Sequence, residues 1–348
     1  MQTDEARGVL GRLAEVRDGQ RGRVAAEQQA RRAIDLWGTE GLPAGGQVSR
    51  EQIEHSLGDP RGAYQRLRRV MDAWCALWFW PIEKAELLPD REEWLADLAM
   101  LLEPGVLPGL EGGGDQRELF AETMAADVAR TLVEEVGFAD VEKVIGRSER
   151  LRLADEVARR YRFLHWELEY ADVFEGRGGF DLILGNPPWV RVEWKEAGVL
   201  GDEDPSLVLQ SLSAAKAVDR RAATMIRGKF RETYLAAHEA TAGTQGVLST
   251  KQCYPELQGV QANLYKAFLP TSWTLLRSTG VAGLLHPEKV YDEPAGGLLR
   301  RMLYQRLRRH YQFANEMRQS LFADVDNHAR FSINVYGPRL ESPRFLTI

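Results

Sequence analysis

The chain has 348 residues, 44% of them hydrophobic and 28% charged, a composition of soluble globular protein long enough for two domains. Its net charge of −6 and pI near 5.7 exclude a global basic footprint for nucleic acid, so such a partner would have to be met by local basic patches. The two cysteines, Cys75 and Cys253, exclude a disulfide framework or a zinc spacing.

In chain order, an Arg/Glu/Ala-rich stretch from about Asp4 to Trp37 reads as helix, charged from its start and without the apolar core of a signal peptide. These features suit a cytoplasmic protein. Gly38 to Gly46 is a linker by composition, and Ser49 with Gln52 forms a capping-box pattern. Tyr64, Leu67, Met71, Trp74 and Trp78 fall on one helical stripe that Pro81 ends. The Trp74 to Trp80 cluster reads as core, and it is too short to span a bilayer, so no membrane partner is expected. Asp90 with Glu93 and Asp115 with Glu118 open two more helices, separated by a loop at Pro104 to Gly114. Another helix is expected from about Ser148 to Tyr161.

The pattern changes near Phe163. Short apolar runs appear at Leu182–Leu184, Val281–Leu285, Tyr311–Ala314 and Phe331–Tyr336, the last two placed to pair antiparallel. Helical patterns lie between several of them: Asn263 to Ser278, kinked or restarted at Pro270, and the basic Gly296 to His310. Strands alternating with helices indicate an α/β sheet. The expected organisation is an N-terminal helix and linker over 1–47, a helical region over 48–162, and an α/β region over 163–348 carrying a helical insertion at 194–262.

One stretch carries chemistry: "FDLILGNPPWVRVEW", Phe180 to Trp194. An apolar strand is stopped by Asn186-Pro187-Pro188-Trp189. Ligands of open α/β sheets sit beyond the carboxyl ends of strands. Two prolines fix φ and stiffen the turn. The Asn186 amide oxygen and the Pro187 carbonyl can both accept from one NH₂ group, and Trp189 can stack on the ring that bears it. An exocyclic amine is a poor nucleophile because its lone pair is delocalised; two acceptors on its hydrogens favour a pyramidal nitrogen that attacks a methyl electrophile. That is positioning with electrostatic stabilisation.

The tetrapeptide resembles motif IV, (N/D)PP(Y/F/W), of S-adenosylmethionine-dependent amino methyltransferases. It is most similar to the large adenine-specific DNA methyltransferases of restriction–modification and DISARM-type phage-defence systems. "NLYKAFL" and "STGVAGLLHPEKVY" (Asn263 to Tyr291) resemble that family's next helix and strand, "RFSINVYG" (Arg330 to Gly337) its late hairpin strand, and "MDAWCALWFWP" (Met71 to Pro81) a preceding helical segment. The resemblance implies a partial class I, Rossmann-like methyltransferase sheet. It also implies methyl transfer from S-adenosylmethionine to N6 of an adenine flipped out of DNA. Asn186 and Pro187 would hold the amine, Pro188 the turn, and Trp189 the base. Asp172 would stand near the cofactor adenine, although a solvated loop acid is the simpler reading. Trp194, Lys229, Arg231 and Lys251 are candidates for contact with DNA; packing is the simpler reading for Trp194 and for Tyr254.

The family also has a Gly-rich cofactor turn of the form D-P-A-C-G-S-G. Asp59-Pro60-Arg61-Gly62 and Glu111-Gly112-Gly113-Gly114 are the nearest stretches, and neither follows an apolar strand. The four runs match the family's strands 4 to 7, so strand 4 is expected to have an open apolar edge. The missing half would come from another polypeptide, another subunit of the defence system, or be lost. A methyltransferase of RNA or protein glutamine, or a non-catalytic DNA- or partner-binding subunit, are the alternatives. Asp181 with Glu193-Trp194-Lys195 imitates a nuclease signature, but the prolines break the hairpin it needs. Asp181 reads more simply as a local cap or ion pair. Arg300, Arg301, Arg306, Arg308 and Arg309 read as a solvated basic face before a phosphate site. The six histidines show no metal spacing.

Overall fold

The computed structural model describes residues 57–102, 140–203, 205, 214–226, 228–315 and 329–348. The expected helix over 4–37, the linker over 38–46, the caps at Ser49 and Asp115, and the loop over 104–114 lie outside them. The chain divides into two compact units, Met1–Leu77 with Lys84–Gly176, and Trp78–Glu83 with Arg177–Ile348.

The first unit is helical. Helix α1 (Ala63–Ala76) packs on α4 (Glu149–Tyr161), with α2 (Arg91–Leu101) and α3 (Val141–Arg147) beside them. Local chemistry starts these helices. Asp90 and Glu93 form the expected capping box of α2. Asp140 caps α3, and the Ser148 hydroxyl accepts from the Leu151 N–H to open α4. Leu101, Val141, Val144, Ile145 and Leu151 form the core. Arg69 bridges Asp155 at 2.6 Å and Glu142 at 2.7 Å, and Arg150 reaches Asp97 at 2.7 Å. Burial pushes the carboxyls of Asp97 and Asp155 up, against their arginines. Helices α5 (Trp166–Glu169) and α6 (Ala171–Arg177) follow.

The tryptophan cluster is core only in part: Trp74 departs from the expectation, while Trp78, Phe79 and Trp80 are partly buried. Helix α1 ends at Ala76, and Trp74 is 38% exposed, tilted against Trp94 with ring centroids 6.4 Å apart. The face that is buried carries Tyr64, Ala73 and Ala76. The small Ala73 and Ala76 lie on the packed face, and the Trp74 ring is left outside it. Trp78 and Phe79 instead belong to the second unit.

Among the described residues, that unit is built on a mixed five-stranded sheet, in the order β1-β2-β4-β3-β5. Its strands are β1 (Phe180–Gly185), β2 (Leu276–Pro287), β3 (Leu307–Ala314), β4 (Arg330–Tyr336) and β5 (Leu346–Thr347). β1 and β2 are parallel; β4 is antiparallel to both β2 and β3, so the last two long runs do pair antiparallel. Gly178 and Gly179, at φ 73° and 130°, turn the chain into β1. A Cβ on Gly179 would sit 2.6 Å from the Leu275 carbonyl oxygen, so only glycine passes there.

Between β1 and β2 lie α7 (Glu196–Glu203), α8 (Ala214–Met225), α9 (Gly228–Ser249) and α10 (Leu264–Leu275). The first three make the helical insertion expected over 194–262, and α10 is the helix expected from Asn263. Trp78 and Phe79 press on α9 where it has Gly243; a Cβ there would meet the Trp78 carbonyl and the Phe79 ring at 2.5 Å. After β2 come α11 (Lys289–Asp292) and α12 (Gly297–Arg306). Leu269 and Trp273 of α10 and Leu299 and Leu303 of α12 join Ala282, Leu284, Leu307 and Tyr336 in the main core.

Two expected helices stop early. The Asn263 to Ser278 helix gives way to strand at Leu276, where the parallel ladder begins opposite Phe180. The Gly296 to His310 helix ends at Arg306 because Leu307 pairs with Tyr336. In both places ladder pairing wins over a helix-compatible local pattern. Pro270 stays inside α10. No described helix is long and apolar enough to cross a membrane.

Candidate amine-binding turn

Among the described residues β1 is an edge strand of the sheet. Its side chains alternate: Ile183 packs on the main core, while Leu182 and Leu184 point the other way and are 56% and 73% exposed. Ile333 and Phe313 on the same open face are 41% and 37% exposed. A parallel strand apolar on both faces is built to be covered on both. This is the open apolar edge expected from the sequence.

Asn186-Pro187-Pro188-Trp189 leaves the carboxyl end of β1, beside the carboxyl end of β2. Gly185 is opposite Leu284 in the ladder. Pro187 is buried and Asn186 and Pro188 are exposed, so one proline anchors the turn while the amide faces solvent. Among the described residues, neither the Asn186 side chain nor the Pro187 carbonyl is engaged in a hydrogen bond within the fold. Trp189 is half-buried against the main core, tilted 39° from Phe331 with centroids 5.9 Å apart.

The segment after Trp189 is strapped down. The Val190 carbonyl accepts from the Leu264 N–H at 3.0 Å, and the Val192 N–H donates to the Ala262 carbonyl at 3.1 Å. The Gln245 amide of α9 donates to the Val192 carbonyl at 2.9 Å. Asn263, in the middle of the strap's partner, caps α10 by accepting from the Tyr265 N–H. The Asn186–Trp189 turn is thus held by β1 on one side and by the strap on the other.

The other sequence candidates take different positions. Trp194 meets Tyr234 edge-on at 5.3 Å and His238 at 5.0 Å, a packing role. Burial and the Glu196 carboxylate push the Tyr234 phenol up to about 12. Tyr254 lies at the border of the main core. Lys229 and Lys251 are exposed, whereas Arg231 pairs with Glu83 at 2.9 Å. Asp172 is in α6, in the other unit. Asp181 pairs with Arg277 at 2.8 Å and Arg177 at 3.5 Å, a local ion pair at the amino end of β1. Glu193 lies past the opposite end and pairs with Lys195, which holds its carboxyl below the usual range. Asp181 and Glu193 are therefore not assembled around a metal, and no metal-binding cluster occurs among the described residues.

The basic set is not the solvated face expected. Arg308 donates to the carbonyls of Arg306 at 2.9 Å, Leu307 at 3.1 Å and Pro338. Arg306 covers the Trp273 ring at 5.0 Å, and Arg300 donates to the Glu293 carbonyl. Only Arg301 and Arg309 are exposed members of that set. Guanidinium groups within reach of free carbonyls at a helix end bind them first.

Sequence reading missed the strap. Its signal was Asn263, an N-cap residue beside Gln261, but nothing local says that the cap would pair with Arg191.

Residues 94–212 match the family model of the Eco57I restriction-modification methylase. The matched stretch contains the Asn186–Trp189 turn and covers less than half of the chain. No curated protein matches the sequence. The match supports a methyltransferase of restriction–modification type, and the mixed α/β sheet is compatible with a methyltransferase-like fold.

Proposed function

We propose that this chain carries the amine-holding half of a DNA adenine-N6 methyltransferase of a restriction–modification or phage-defence system, on a Rossmann-like sheet. The observation that carries the reading is the pair of unengaged acceptors, the Asn186 amide oxygen and the Pro187 carbonyl, on a rigid turn beside Trp189. An adenine amine has two hydrogens to place, one on each acceptor. Trp189 then offers a surface to the flipped ring, and Pro188 keeps the acceptors from drifting apart. DNA is the proposed partner, with Lys229 and Lys251 as candidate phosphate contacts on the insertion.

The family's methyl donor is S-adenosylmethionine, and the described residues do not fit it. Asp59-Pro60-Arg61-Gly62 is a helix-start turn: the Asp59 carbonyl accepts from the Gly62 N–H at 2.9 Å, and Gly62 precedes α1. It offers no glycine cradle at the end of a strand. The open β1 edge supports a second, cofactor-binding unit that adds a strand beside Leu182 and Leu184. The lack of fit also favours the second reading, a non-catalytic DNA- or partner-binding subunit.

Methyl transfer from labelled S-adenosylmethionine to adenine-containing DNA, with the chain alone and with the product of the adjoining reading frame, separates the two. Activity that appears only with the second product supports the proposal. Calorimetry adds an independent arm: micromolar binding of S-adenosylmethionine by this chain alone would overturn the half-site reading.

A further inference from the structure

The strap that follows Trp189 is fastened to a buried ion pair. Lys266 and Glu293 have side chains only 5% and 14% exposed and are in direct contact. Both also grip one backbone residue, Gln261. The Lys266 ammonium donates to the Gln261 carbonyl at 3.2 Å, and the Glu293 carboxylate accepts from the Gln261 N–H at 3.4 Å. The Gln261 side-chain oxygen in turn accepts from the Arg191 guanidinium at 2.5 Å. Arg191 is the central residue of the strap, bridged to Asn263. A continuous polar path therefore runs from the ion pair through Gln261 to the residues directly after Trp189.

Burying two charges is costly unless each is fully satisfied, and a well-packed apolar pair would serve stability equally well or better. Here the charges are spent on fixing both backbone groups of Gln261. A carbonyl and an N–H held from one side leave that residue little freedom to rotate. The antiparallel partner of the strap, which pairs with Val190 and Val192, is thus held from its far side.

We propose that the Lys266–Glu293 pair is a positioning device for the Asn186–Trp189 turn, acting through Gln261 and Arg191. The proposal rests on the amine-holding reading for its catalytic consequence. Lys266 and Glu293 do not touch the substrate; they fix where the two acceptors stand. Displacement of about 1 Å at such a site costs on the order of a hundredfold in rate.

The test uses the full chain. Hydrogen exchange is followed in peptides covering residues 188–195 and 259–266, in Glu293→Gln, in Arg191→Ala, and in a Lys266→Met/Glu293→Leu double variant that keeps the site apolar and filled. Arg191 is exposed, so its variant folds whatever the ion pair does. The expected result is faster exchange in both peptides, on the order of tenfold, with exchange in β2 and β4 unchanged. Methyl transfer by the active assembly should lose kcat by about tenfold to a hundredfold with KM for DNA nearly constant. Unchanged exchange in all three variants overturns the proposal. So does faster exchange with kcat unaltered. If the wild-type assembly transfers no methyl group, the proposed function fails, and exchange in the double variant still decides whether the ion pair holds the strap.

Discussion

Trp189 leans on Phe331, with ring centroids 5.9 Å apart, and Phe331 stacks in turn on Phe313 at 5.6 Å. The aromatic plate of the turn is therefore supported from β4, a strand more than a hundred residues later in the chain. Phe331 is 2% exposed. Phe331→Ala should cost about 3–5 kcal/mol and remove the ring on which Trp189 leans from β4. Urea unfolding measures the first effect. The second is read as the emission difference between Phe331→Ala and its Trp189→Phe derivative; an unshifted Trp189 contribution would show that Phe331 does not hold the ring.

Asn186→Ala removes an exposed amide that the fold does not use. Its unfolding free energy should stay within about 0.5 kcal/mol of wild type. Methyl transfer by the assembly should fall about 10²–10³-fold, the usual loss of one preorganised hydrogen-bonding group. Full activity in this variant would defeat the amine-holding assignment.

Replacing Leu182 and Leu184 by lysine places charges on the β1 edge. Both side chains are more than half exposed, at 56% and 73%, so stability should change by less than about 1 kcal/mol. Static light scattering should show less self-association, and the assembly with a cofactor-binding unit should be lost. A large drop in unfolding free energy would mean that the two leucines are covered within the chain.

His286 predicts a pH dependence of stability. Its ring is fully buried: Nδ1–H donates to the Pro287 carbonyl at 3.0 Å, and Nε2 accepts from the Tyr336 hydroxyl at 2.7 Å and the Asn334 amide at 3.0 Å. Burial lowers its pKa from 6.5 to about 4. Below 6.5 the unfolded chain takes up a proton that the folded ring refuses, so stability is whole at neutral pH and falls as pH drops from about 6.5 to 4. The loss is on the order of 3 kcal/mol. Urea midpoints measured across that range should decline, and the decline should flatten in His286→Asn. Equal slopes in the two proteins would remove His286 as the cause.

Gly179→Ala puts a Cβ 2.6 Å from the Leu275 carbonyl at a φ of 130°. The expected cost is about 1–3 kcal/mol or more, because backbone must move on both sides. Gly178→Ala meets no such contact and should cost less. Thermal unfolding of the two variants checks the order; equal midpoints would show that the turn into β1 yields freely.

Much of this architecture was legible residue by residue. Asp90, Ser148 and Asn263 announce helix starts, and each caps the helix that follows it. Capping depends on groups three or four residues apart, so local order is enough. The turn at Asn186-Pro187-Pro188-Trp189 was equally plain, because proline chemistry acts on its own backbone. The exposure of Trp74, the ends of the helices at Ala76, Leu275 and Arg306, and the capture of Arg300, Arg306 and Arg308 by carbonyls and an indole were not. Each depends on a partner brought in from elsewhere.

By itself the sequence determined that a rigid, two-acceptor turn with an indole follows an apolar strand, within an alternation of strands and helices. Only the tertiary structure decided that this strand is the edge of the described sheet, that the Asn186 side chain faces solvent while Pro187 is buried, and that Lys266 and Glu293 converge on Gln261 to hold the strap. The physical reason is range: dihedral restriction and capping are settled within a few residues, whereas strand order and burial are settled by contacts between residues far apart in the chain.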